Sequence, residues 1–421
     1  MSISNPKTLS MLWILFLFCC LRTQAETIVI ENARIFPMQD GSAVEFSSIT
    51  LDKGNVKSFG NSQTAPLNAT VINAMGKFVT PGLFDAHTQI GLEEIDAVDS
   101  SVHSRLNNEN IGPAFDIQYA VNPSSTLIQV NLVEGVTHAV VAPVPGSDFF
   151  AGFGAAIKLA GVQPIYRPRV AMFAAINNRI IKKAGGSSSE VIAKLIRTTT
   201  NLKELKSSKY QPRGGDYSKA DVQAIDYAYR KKLPIVVDVN QSKDILQLID
   251  IANTFGLNLI VMGGAEAWKA AEKLSGADIP VILDPLDNLP SDFDRLGARL
   301  DNAAILQQAG VTIAFSDPDA HNSRRLRQLA GNAVAQGLPW YEGLKAITRS
   351  PANIYGIDKG YLKTGSKASL VIWNGDPLEV TSWPEKIMLE GKWVNLESRQ
   401  TALYKRYQDL GAGKKTGFTY Q

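Results

Sequence analysis

Five short runs in the middle of the chain limit its fold more than any other feature. They are THAVVAP (Thr137–Pro143), LPIVVDVN (Leu233–Asn240), LNLIVMGG (Leu257–Gly264), IPVILDP (Ile279–Pro285) and GVTIAFSD (Gly310–Asp317). Each is apolar almost without a break, which suits strands covered on both faces of a parallel sheet. Helical spacing of apolar residues follows the later ones, in DILQLIDIANTF, AEAWKAAEKLS, DNAAILQQA and RRLRQLAGNAVAQG. Strand–helix units in series give a doubly wound α/β sheet or a barrel. A middle region of about 275 residues fits an eightfold (β/α)8 barrel, placed at 81–355. Its third and fourth strands are not assigned by pattern, and SSKYQPRGGDYSK (Ser207–Lys219) reads as a surface loop.

Both ends read as β. TIVIENARIFP (Thr27–Pro37), SITLDKGNVKSFG (Ser48–Gly60) and TVINAMGKFVTPG (Thr70–Gly82) alternate apolar and polar residues. ASLVIWNGDPLEV and KIMLEGKWVN do the same near the other end, with Asn-Gly and Glu-Gly as turn signals. Neither end has enough strands to close a core. The economical arrangement joins 26–80 and 356–400 in one small composite β-sandwich, leaving 401–421 as a tail.

The first 25 residues stand apart. Lys7, the apolar run MLWILFLFCCL (Met11–Leu21) and the small residues of TQA (Thr23–Ala25) have the layout of a secretory signal peptide. The run is too short to span a bilayer comfortably. After cleavage no integral membrane segment is expected, and the chain is expected to be secreted, to a periplasm if the source is a Gram-negative bacterium. Both cysteines, Cys19 and Cys20, lie in this leader. The mature chain then has neither disulfide nor thiolate ligand. Net charge is +3 with no long run of one sign, which argues against a nucleic-acid surface.

Polar residues at the strand exits carry the chemistry. In VTPGLFDAHTQIG (Val79–Gly91) Asp85, His87 and Gln89 fall on alternate positions, the spacing that shares one face of a strand. Asp238 and Asn240 close the run at Leu233, Asp284 the run at Ile279 and Asp317 the run at Gly310, with Asp319 and His321 just beyond. Strand exits of a barrel converge on one rim, where sites are built. A carboxylate at the end of a buried strand is costly unless paired or metal-bound. The plainer alternative is that such an Asp caps the next segment, and Asp284 and Asp319 fit that role as well. Among the other histidines, His103 reads as surface, His138 as a core residue at the wrong end, and His321 as a rim residue or a loop hydrogen-bonder. Lys158 in GFGAAIKLAG reaches the rim or snorkels.

With these residues in view, the chain resembles the amidohydrolase superfamily. VTPGLFDAHTQIG is similar to its signature, in which Pro-Gly precedes Asp-Ala-His-x-His. GVTHAVVAP, the segment VVDVNQSKDIL through AEAWKAAEKL, the segment GVTIAFSDPDAHN through SPANIYGI, and GYLKTGSKASLVIWNGDPL resemble later parts of the imidazolonepropionase-like branch. The resemblance implies a TIM-like barrel with a composite sandwich, and metal-dependent hydrolysis of non-peptide C–N bonds. Position by position, the first family histidine matches His87 and the second Gln89. The histidine ending the fifth strand matches Asp238, the one ending the sixth matches Gly263, and the aspartate of the eighth matches Asp317. The metal-ligand set is therefore degenerate.

What the resemblance implies is one divalent ion at most, held by His87, Asp238 and Asp317. Asp317 serves as general base, with Gln89 and His321 toward substrate. An oxygen-rich set of this kind admits Mn, Mg or Ca, or Zn weakly. The expected function is a secreted hydrolase of a small C–N compound through an altered mononuclear site. The alternative is a silent member that binds a small molecule. The expected partner beyond the small molecule is a second copy or an active paralogue.

Overall fold

The computed structural model describes residues 27–39, 45–61, 65–105, 112–146, 148–200, 217–317 and 319–408. The expected leader, most of the loop Ser207–Lys219 and the end of the tail lie outside these residues. The front of the tail continues a helix, Arg399–Tyr407.

Among the described residues six strands precede the barrel: β1 (Thr27–Glu31), β2 (Arg34–Ile35), β3 (Ser48–Asp52), β4 (Asn55–Gly60), β5 (Thr70–Asn73) and β6 (Phe78–Pro81). Eight form the barrel sheet: β7 (Leu83–Thr88), β8 (Val136–Val141), β9 (Phe150–Lys158), β10 (Ile165–Ile176), β11 (Ile235–Val239), β12 (Leu259–Gly263), β13 (Val281–Leu283) and β14 (Ile313–Phe315). Three follow: β15 (Leu370–Trp373), β16 (Pro384–Leu389) and β17 (Lys392–Trp393).

The two chain ends share one sandwich. One sheet has the order β4-β3-β1-β5 and the other β17-β16-β15-β6-β2. In the second, β15 lies antiparallel to both β6 and β16, with Leu370 opposite Pro81 and Ile372 opposite Val79. Their common core takes Ile28, Ile30, Ile49, Leu51 and Val79 from the front of the chain and Leu370, Ile372 and Met388 from the back. Alternation of apolar residues drives this, since each strand has one face to bury. Glu390 and Gly391 make the tight β16–β17 turn, with φ of 50° and 78°. That is the left-handed pair a two-residue hairpin of primed type requires. Asn374–Gly375 instead opens a longer connection to β16.

The barrel sheet runs β7 to β14 in chain order, and its members are parallel with one exception. β9 is antiparallel to β8 and to β10. The unassigned third and fourth strands are therefore a hairpin closed by residues 159–164, without an intervening helix. Pattern reading passes over them for a physical reason. β9 is built of small residues (FAGFGAAIK), and β10 carries Pro168 and a bulge at Arg169 with φ of 47°. The small residues are needed because a Cβ on Gly154 would come within 2.4 Å of the Phe173 ring.

Candidate functional site

The C-terminal strand ends open on one mouth, where most of the singled-out residues lie. β7 delivers Asp85, His87 and, one residue past its end, Gln89, which are 0%, 7% and 8% exposed. The ladder to β8 slips between Asp85 and Thr88, so strict alternation does not govern this stretch. Asp85 Oδ1 accepts from the His87 amide at 3.1 Å, and Thr88 and Ser323 share a hydroxyl contact of 2.6 Å. The His87 ring lies 5.7 Å from that of Phe173. Burial drops its pKa to about 4, so the imidazole is neutral at ordinary pH. Burial likewise pushes Asp85 well above the usual carboxylate range, and nearby Asp317 adds to the rise.

Asp317 follows β14 and is 3% exposed. Its Oδ2 accepts from Arg325 Nη2 at 2.6 Å, and its Oδ1 from the Asp319 amide at 3.2 Å. Asp319 in turn accepts from the His321 amide at 2.9 Å and from Asn322 Nδ2 at 2.7 Å. It thus shapes the loop, which is the capping role weighed for it. Asp284 accepts from the Leu286 amide at 2.8 Å and likewise forms a turn.

Asp238 at the end of β11 accepts from Asn177 Nδ2 at 3.0 Å. Burial raises its pKa, against the pull of Asn177 and Arg295. Asn240 Oδ1 accepts from the Ala265 amide at 3.2 Å. Gly263 sits against both residues. It has φ of 82°, and a Cβ there would stand 2.7 Å from Asn240 Oδ1 and 3.0 Å from Asp238 Oδ1. An imidazole at this position would meet both a backbone penalty and a clash.

The residues do not fit the expected ion. Among the described residues no three His, Cys, Asp or Glu side chains stand together in a group that could hold a metal. The expected meeting of His87, Asp238 and Asp317 at one point finds no support among the described residues. The positive charge beside Asp317 is a guanidinium, Asp238 is turned to an amide, and Gly263 brings no donor side chain. Arg325 and Asn177 were missed by sequence reading. Arg325 stands eight residues past its partner and Asn177 sixty-one before its own, and in neither pair do the two residues share one strand or helix. His138 is 2% exposed and packs at 6.0 Å from Phe84, a core residue as expected.

Lys158 does not reach the mouth. The reversed β9 places it opposite His138, at the start of β8, on the floor of the barrel beside Glu390 and Lys392.

Comparison with known proteins accords with this architecture. Residues 231–395 match the amidohydrolase family. The amidohydrolase tasK of Hapsidospora irregularis is 22% identical over 393 residues, which cover 83% of this chain and 40% of that protein. This chain thus spans well under half of that relative's length. A solved amidohydrolase of Thermotoga maritima MSB8 superposes with a TM-score of 0.76 at 24% identity, over 87% of this chain and 99% of its own. A prolidase bound to N-methylphosphonate-L-proline gives 0.53 at 15% identity, over 88% and 99%. An atrazine chlorohydrolase from Arthrobacter aurescens TC1, with zinc and atraton, gives 0.51 at 14%, over 91% and 99%. The fold is that of these hydrolases, and the similarity to the amidohydrolase family model lies within residues 231–395.

Proposed function

We propose that this chain is an amidohydrolase-type barrel that takes a small polar molecule at its mouth by hydrogen bonding, in place of metal-dependent hydrolysis. The observation that carries the reading is the Arg325–Asp317 ion pair of 2.6 Å. It occupies the one retained family carboxylate with a cation the chain itself supplies. At other strand exits of the same mouth lie the neutral imidazole of His87, the Gln89 amide and the Asn177–Asp238 pair. Such a set offers donors and acceptors with little net charge, which suits a ligand with paired N–H and C=O groups.

A second reading keeps the hydrolase: cleavage of a non-peptide C–N bond at an altered mononuclear site. The similarity to the amidohydrolase family model over 231–395 favours it, as do Asp317 and His87 in family positions. It requires Arg325 to leave Asp317. Elemental analysis separates the two. Mature wild type, Asp317→Asn and Arg325→Ala are dialysed against zinc, manganese, magnesium and calcium in turn. The binding reading expects wild type to retain no more of any ion than Asp317→Asn. About one ion per chain in wild type alone would replace it with the hydrolase.

We also propose export and pairing. The leader motivates export, and intact Met1 on soluble cytoplasmic protein would refute it. The pairing proposal is motivated by the departures from the family ligand pattern at Gln89, Asp238 and Gly263.

A further inference from the structure

The connection from β13 to the helix Asn302–Gln308 runs over 284–301 with neither helix nor strand of its own. Connections this long are uncommon in a compact domain, and most of them bind or cover something. This one starts at the exit of β13, on the mouth side of the barrel. It reaches back across the exits of the next two strands in the sheet, β12 and β11. Trp268, just past β12, donates its indole N–H to the Gly297 carbonyl at 2.9 Å. Gln241, just past β11, donates its side-chain amide to the Phe293 carbonyl at 3.3 Å. Arg295 pairs with Asp287 inside the loop.

Tied down in this way, the loop still holds three large apolar side chains in water. Leu289, Phe293 and Leu296 are 67%, 82% and 62% exposed. A single exposed apolar residue is ordinary, but three such residues within one short stretch at the rim of a site mark a contact surface. The loop's place beside the mouth is fixed by other groups. Its anchor Gln241 stands three residues past Asp238, and Arg295, Asp294 and Asp287 are near enough to act on the Asp238 carboxyl. Between 284 and 301 the chain has five aspartates against two arginines, so the field of the loop repels an anion.

We infer that the molecule taken at the mouth, the ligand of the proposed function on which this rests, is uncharged and amphipathic. Its N–H and C=O groups face the strand exits, and an alkyl or aryl group lies against Leu289, Phe293 and Leu296. Apolar contact is non-directional and grows with the area removed from water. The loop therefore selects for the size of that group, whereas the few polar groups of the mouth set orientation.

The test uses the full mature chain and three ureas that share one hydrogen-bonding head: methylurea, hexylurea and 6-ureidohexanoate. Calorimetric titration of wild type should show hexylurea binding at least tenfold tighter than methylurea, and at least tenfold tighter than the carboxylate-ended urea. In the double variant Leu289→Ser/Phe293→Ser, two exposed changes with little risk to folding, the advantage of hexylurea over methylurea should fall to about threefold or less. Val162→Ser, equally exposed in the turn that joins β9 to β10, should keep it. Equal binding of methylurea and hexylurea by wild type, an advantage unchanged in the double variant, or no binding of any of the three overturns the apolar contact. A carboxylate-ended urea that binds as tightly as hexylurea overturns the preference for an uncharged ligand. Dimers in sedimentation that the double variant dissolves, or attachment to phosphatidylcholine vesicles that it abolishes, would assign the loop to a second copy or a membrane instead. Ion retention by wild type is read separately and decides the proposed function, so the two can fail apart.

Discussion

Arg325→Ala is the most informative single change. Breaking one side of a fully buried ion pair costs roughly 3–5 kcal/mol, because a charge is left uncompensated. A surface pair is worth about 0–1 kcal/mol. This pair stands between those limits, since the Asp317 side chain is 4% exposed and that of Arg325 43%. Water can approach from the arginine side, and Asp317 keeps its bond from the Asp319 amide. The expected loss is therefore about 2 kcal/mol, in line with a hydrogen bond to a charged group. Urea unfolding of wild type, Arg325→Ala, Asp317→Asn and the double variant measures it as a cycle. The double variant should cost about 2 kcal/mol less than the sum of the singles, because removing both charges leaves none unpaired. Arg325→Ala within about 0.5 kcal/mol of wild type, the range of an ordinary surface substitution, would mean that the pair does not hold the mouth together. The account of the site built on it would then fall.

Acid should find His87. Its folded pKa of about 4 lies below the unfolded value of 6.5. The neutral form therefore contributes stability above pH 6.5, which is lost as pH falls toward 4, by up to about 3 kcal/mol. His87→Asn should flatten the stability profile in that window, and an unchanged slope would mean that the ring is hydrated. Gly391→Ala should destabilise more than Gly76→Ala. Both have φ of 78°, but a Cβ on Gly391 would stand 2.5 Å from the Gly54 carbonyl whereas Gly76 has nothing within 4 Å. The backbone term of about 1 kcal/mol is common to both, so equal melting temperatures would show that the two hairpins do not touch. Deleting residues 360–421 removes β15, β16 and the burial of Leu370, Ile372 and Met388, at about 1.5–3 kcal/mol each. Aggregation is expected, and a soluble product that melts cooperatively would mean that the front strands form a core of their own.

The sequence by itself determined the frame. Uninterrupted apolar runs fixed β8 and β11 to β14 as buried parallel strands, because only strands covered on both faces lack a polar alternation. Alternating runs at the two ends likewise required a shared core, since neither end had a partner for its apolar face. Tertiary structure decided the site. β9 runs backwards because it pairs within a hairpin, and a run of small residues carries no mark of strand direction. That reversal took Lys158 from the mouth to the floor. Asp317 was legible as a strand-exit carboxylate, but not its ion pair with Arg325. Asp238 was legible too, but not the turn toward Asn177. A side chain's partner is set by which loops the closed barrel brings together. Local pattern encodes which residues are buried, whereas the identity of a polar neighbour across a rim is fixed only when the chain closes around it.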